Sequence, residues 1–184
     1  MIYPIVAYGD PVLRKVGTTI TKDYPGLDDL IKNMFETMYE SNGVGLAAPQ
    51  IGKSINLFII DTTAFEDEKY PDFKKVFINA EILNETGELW EFEEGCLSIP
   101  KIRENVNRHP QITIKYQDEN FVWHEEVYDG IAARVIQHEY DHVKGKLFID
   151  HISELKKRLL KNKLLRIAKG EVNVDYRMRF PVLR

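Results

Sequence analysis

A chain of 184 residues with 43% hydrophobic and 29% charged side chains can build one continuous core, and its composition excludes a disordered or low-complexity polymer. No apolar run approaches the roughly 20 residues that a bilayer span needs. Met1 to Arg14 lacks a basic stretch followed by an apolar one, so no secretory signal is expected, and the lone cysteine, Cys96, excludes an internal disulfide. A cytoplasmic protein is the expectation, as one domain over residues 1–184. The net charge of −4 is unevenly spread: His151 to Lys169 holds seven bases and one acid, a net +6 that leaves −10 for the remainder. That asymmetry points to an anionic partner for this segment.

From Pro25 to Asn42, apolar residues at Leu27, Leu30, Ile31, Met34 and Met38 repeat at three and four, which predicts a helix stopped by Asn42-Gly43. Gly43 to Val127 holds short β-like runs at Ile55–Ile60, Val76–Leu83, Ile112–Tyr116 and Phe121–Val127, separated by turn residues such as Glu85-Thr86-Gly87 and Asp118-Glu119-Asn120. Thr62 to Lys75 is polar and aromatic and reads as a surface excursion. A second helix is expected from about Gly130 to Lys144, with Asp129 as N-cap and Gly145 closing it. A basic helix, capped by Ser153, should run to Ala168 and dock through Leu155, Leu159, Leu160, Leu164 and Ile167. The tail, residues 170–184, has no legible role. Strands precede the last two helices without alternating with them. The expected class is therefore α+β, with antiparallel or mixed sheets around a central helix and a helix toward each end.

Three segments carry chemistry. In Gln137-His138-Glu139-Tyr140-Asp141-His142, residues four apart lie about 40° apart in helical projection, so His138 and His142 face the same way and can share a metal. Ile131 and Val135 continue that line, which places the imidazoles on a buried face. Glu139 can reach a metal-bound water without being a ligand. A bare pattern of this kind also fits two core histidines around a solvated acid. A catalytic metal centre usually has three protein ligands and an open position. Downstream, Asp150, His151 and Glu154 do not continue the spacing of the metzincins. Cys96, within Glu94-Gly95-Cys96-Leu97-Ser98-Ile99-Pro100, is the better third donor. A Cys/His/His set suits zinc or ferrous iron, although a tight turn with a packed cysteine fits the segment too. The third segment is Gly43-Val44-Gly45-Leu46-Ala47-Ala48-Pro49-Gln50-Ile51-Gly52. Its small residues admit another chain, and Gln50 offers an uncharged donor. It lacks the Lys-Ser/Thr ending of a phosphate loop.

Together these segments resemble the three signature motifs of the peptide deformylase family, Gly-x-Gly-Leu-Ala-Ala-x-Gln, Glu-Gly-Cys-Leu-Ser and Gln-His-Glu-x-Asp-His. All are complete and in order, and the likeness extends over about residues 1–168. The resemblance implies hydrolytic removal of the formyl group from the N-terminal formyl-methionine of nascent chains. It assigns Cys96, His138 and His142 to one divalent metal, usually Fe2+, with Zn2+, Ni2+ or Co2+ able to replace it. Glu139 would be the general base, while Gln50 and the Leu97 N–H would hold the developing oxyanion. Asp141 would orient a ligand or hold the helix from behind. The peptide would lie along Val44-Gly45 and Glu94-Gly95 as an added strand. Its methionine side chain would enter a pocket near Phe92, Val135 and His138, with Arg103 touching the substrate backbone and Arg134 edging the pocket. The basic helix, 153–168, is expected to contact ribosomal RNA. An alternative is a metallopeptidase with another third ligand, or a catalytically silent metal-binding homologue.

Overall fold

The chain opens with a two-residue strand, β1 (Ile5–Val6), and reaches its first helix, α1 (Leu27–Glu40), after a loop. A computed structural model describes residues 1–181 apart from 66 and 68; those two positions of the polar excursion, and 182–184 of the tail, lie outside the described residues. Gly26 starts α1 in the left-handed region, and Asp28 and Asp29 sit where the helix dipole favours acids. The helix buries Leu27, Leu30, Ile31, Met34 and Met38, as its period requires. Asn42, at φ 57°, turns the chain away.

Then come β2 (Gly45–Ala47), β3 (Leu57–Asp61), β4 (Lys74–Thr86), β5 (Trp90–Cys96), β6 (Ile99–Arg108), β7 (Gln111–Gln117) and β8 (Trp123–Asp129). Five of them form an antiparallel sheet in the order β2-β3-β4-β7-β8, while β5 and β6 form a separate hairpin. The sequence reading missed that hairpin. Its inward positions are Trp90, Phe92 and Glu94, so a buried carboxylate stands where alternation would need an apolar residue.

The central helix, α2 (Gly130–Val143), packs Ala132, Ala133, Ile136 and Val143 onto the five-stranded sheet among Phe58, Phe77 and Tyr116. Its other side, with Arg134, His138 and Asp141, turns to the hairpin. Asp129 occupies the N-cap position but does not cap, because its carboxylate is bound by Lys69 and Tyr70. The basic helix, α3 (Glu154–Ala168), corrects the expected docking stripe. Leu160, Leu164 and Ile167 are buried, whereas Leu155 and Leu159 are 67% and 72% exposed. Residue 159 lies about 100° around the helix from 160, on the neighbouring ridge that faces away.

The tail returns across the molecule and ends in β9 (Met178–Arg179), which pairs in parallel with β1. Among the described residues, no helix is long and apolar enough to cross a membrane.

Candidate metal centre

One turn of α2 separates His138 from His142, and their rings lie 5.2 Å apart, centroid to centroid. The hairpin brings Cys96 to them, with its Sγ 3.3 Å from His142 Nε2. The three candidate donor atoms all lie within 4.8 Å of one another. They converge because β5 ends at Cys96, and Leu97-Ser98 forms a two-residue turn that pairs Cys96 with Ile99. Beyond it the register slips at Pro100–Ile102, with Lys101 at φ 63°.

The electrostatics suit a cation. Burial pushes His142 down to about 3, so its imidazole is neutral and can ligate. His142 Nδ1 is buried and has no partner among the described residues. Burial would also lower His138, but hydrogen bonds with Cys96 and Glu94 prevail and hold it well above free imidazole, so this position draws a proton that a bound metal ion would displace. Glu94 Oε2 lies 3.0 Å from His138 Nδ1, which leaves Nε2 to face the cluster. A soft thiol and two imidazoles form a donor set that fits a zinc-like or ferrous ion.

Glu139 lies beside this group and is 4% exposed. Among the described residues its Oε2 has no hydrogen-bond partner, and burial raises its pKa to about 7. Gly45 makes room for it: a Cβ there would stand 2.5 Å from Glu139 Oε1. Gln50 is anchored through its Oε1, which accepts from Ala47 N at 2.9 Å. Its Nε2 is thereby turned toward Ser98 Oγ at 3.3 Å and Cys96 Sγ at 3.5 Å.

A cleft of about 570 Å³ opens over these groups. It is bordered by Val44, Gly45, Gln50, Phe92, Glu94, Gly95, Cys96, Leu97, Arg103, Arg134, Val135, His138 and Glu139. His142 and Asp141 are not on its wall. Beneath this wall, two of the residues expected at the substrate are also tied into the interior. The Glu94 side chain is turned into the protein, where it accepts from Arg108 at 2.7 and 3.1 Å and from Arg134 at 3.0 Å. Arg134 is 2% exposed and also donates to the carbonyls of Val106 and Trp90, so it clamps the hairpin to α2. Arg103 does reach the rim, paired with Glu93 at 2.8 Å.

Asp141 accepts from Arg108 at 2.9 Å and pairs with His151 at 2.7 Å. His151 is thus engaged away from the cluster, and Cys96 fills the third position. Sequence reasoning missed Arg108, whose burial is unmarked in a strand of mixed polarity. It also missed Val174, Asp175 and Tyr176 of the tail, which border the cleft without any local motif.

A Cys/His/His cluster with a buried, unpartnered acid beside an open cleft defines a mononuclear metallohydrolase. The profile of the family described as Polypeptide deformylase matches residues 2–158. The peptide deformylase of Christiangramia forsetii is 57% identical over 98% of this chain and 97% of its own, and that of Flavobacterium johnsoniae 59% over 98% and 96%. The crystal structure of a peptide deformylase from Legionella pneumophila superposes with a TM-score of 0.81 at 40% identity, covering 93% of this chain and 98% of its own. The chain belongs to the peptide deformylase family.

Proposed function

We propose that the protein removes the formyl group from the N-terminal formyl-methionine of nascent polypeptides, releasing formate. The observation that carries this reading is the convergence of Cys96, His138 and His142 beneath a cleft that Glu139 borders, with one carboxylate oxygen buried and without a partner among the described residues. Cys96, His138 and His142 are the residues that hold the ion, which we take to be Fe2+ because thiolate and imidazole suit it; Zn2+, Ni2+ or Co2+ fit the same donors. When bound, such an ion polarises a carbonyl oxygen and makes water more acidic.

The protein's own groups supply the rest. Glu139, with a pKa near neutrality, takes a proton from the attacking water and delivers it to the departing amine nitrogen. Gln50, with its oxygen committed to Ala47, holds only long contacts through its Nε2, to Cys96 Sγ and Ser98 Oγ, and turns an N–H to the formyl oxygen as charge develops, alongside the Leu97 N–H. The peptide enters between the open edge of β2 and the hairpin, pairing with Val44-Gly45 and Glu94-Gly95, and its methionine side chain lies against Phe92, Val135 and His138. Arg103 stands at the rim to contact the substrate backbone.

One domain, residues 1–184, carries the activity in this reading, and pairing of β1 with β9 supports it by joining the two ends. Work on nascent chains implies the cytoplasm. Contact with ribosomal RNA through α3 is supported by Arg158, Lys161 and Lys163, which are exposed and make no ion pair among the described residues. Reversing these three charges should weaken binding to ribosomes and leave turnover of a short peptide unchanged; undiminished ribosome binding refutes that role.

The decisive assay is formate release from formyl-Met-Ala-Ser by protein purified without oxygen, with metal content read on the same sample. The expected result is activity abolished by a chelator and restored by ferrous iron or nickel. Stoichiometric metal without formate release refutes the proposal.

A further inference from the structure

The Leu97-Ser98 turn joins a candidate metal ligand, Cys96, to the start of β6. The central residues of a two-residue turn lie beyond the strand ladder, so their carbonyls need partners from elsewhere. Both find one in the same place. Ser98 O accepts from Tyr8 N at 2.9 Å, and Leu97 O accepts from Tyr176 OH at 2.8 Å. Tyr8 follows β1 and Tyr176 precedes β9, and the two strands are bonded to each other: Ile5 N donates to Arg177 O at 2.8 Å and Ala7 N to Arg179 O at 2.9 Å. The opposite side of Leu97 is closed by Gly43, where a Cβ would lie 2.9 Å from Leu97 Cδ1. The turn is therefore gripped from the N-terminal strand, the C-terminal tail and the glycine-rich segment at once. Among the described residues Tyr176 contributes the one side-chain hydrogen bond to a backbone carbonyl of the turn, and it borders the cleft.

We propose that Tyr176 is a positioning residue: the tail carries its hydroxyl back to the Leu97 carbonyl and so holds the Leu97 peptide at the angle that deformylation requires. The inference rests on the proposed function. Rotation about the Leu97 backbone moves its N–H relative to the Gln50 amide, and small misplacement of a group that meets the transition state costs turnover more than binding.

The test compares Tyr176→Phe, which removes only the hydroxyl, with Met178→Ala, which trims a partly buried side chain of β9 and leaves its backbone pairing with β1 and the Tyr176 hydroxyl in place. Three quantities are read on nickel-loaded protein: kcat and KM for formyl-Met-Ala-Ser, amide hydrogen exchange of a peptide spanning residues 95–99, and nickel content. For Tyr176→Phe, kcat should fall about five- to tenfold with KM within about twofold, exchange over 95–99 should quicken, and nickel should be retained. Met178→Ala should leave kcat and that exchange unchanged. Unaltered kcat and exchange in Tyr176→Phe overturn the proposal, as does an equal loss of kcat in both variants, which marks the tail as a brace alone. If the wild-type protein itself releases no formate, the proposed function fails and exchange alone decides: quickening confined to Tyr176→Phe upholds the pin, and its absence removes it.

Discussion

Replacing Glu94 by Gln removes one charge from a site where four hydrogen bonds converge on a single carboxylate. Arg108 contributes two, Arg134 one and His138 one, at 2.7–3.1 Å, and the side chains of Glu94, Arg108 and Arg134 are all 5% exposed or less. Arg108 would retain Asp141, and Arg134 its two carbonyls, so neither guanidinium is left without partners. Breaking a buried pair by deleting one member costs about 3–5 kcal/mol, and the retained partners put this case near about 3 kcal/mol. For a chain of this size that corresponds to roughly 6–12 °C in Tm. His138 loses the group that sets its tautomer, so metal affinity should fall about 10- to 100-fold. The two effects separate in urea titrations of chelator-treated protein and in metal titrations of the folded protein. Acid provides a further check. The partners of Glu94 hold its carboxyl well below the usual 4.5 against the opposing effect of burial. Its contribution is therefore complete above 4.5 and is lost as pH falls below that value. The stability gap between wild type and variant should stay constant above about pH 5 and narrow under stronger acid. A loss below about 1 kcal/mol, or a gap that widens in acid, refutes the assignment of Glu94 as a stabilising ionised hub.

Glu139→Ala should retain metal while kcat falls at least ~10², measured by formate release; normal turnover removes the acid–base role. Gly45→Ala pushes a methyl into the space of the Glu139 carboxylate, and kcat should drop by about 10² with metal content intact. Cys96→Ala should lose both metal and activity, read by metal analysis after dialysis, and full occupancy would reopen the metallopeptidase alternative. Leu164→Ala should cost about 2–5 kcal/mol in urea unfolding, whereas Leu159→Ser, on the exposed ridge, should stay within about 0.5 kcal/mol. Equal costs would show that the expected stripe was right after all.

Much of this protein is legible in its sequence because its chemistry is local. The two imidazoles and Glu139 lie within one stretch of five residues, and helical geometry alone dictates which of them face together. The period of α1 gives its buried face, and Asn42-Gly43 gives its end. Segments whose pattern is not local were not legible. β5 shows no strand pattern in the sequence because its inward Glu94 is compensated by arginines 14 and 40 residues away. The apolar residues of α3 permit two adjacent ridges, and only packing against Ile99, Ile102 and Phe148 selects 160, 164 and 167.

The donor types, the helix that carries two of them, and the α+β class follow from the order and spacing of neighbouring residues. It took the folded chain to bring Cys96 up to the two imidazoles, to pair the Glu94 side chain with Arg108 and Arg134, and to carry the tail to the cleft at Tyr176. Those facts depend on contacts between residues far apart in the chain. A buried charge declares its partner only when the fold has brought that partner within hydrogen-bonding distance.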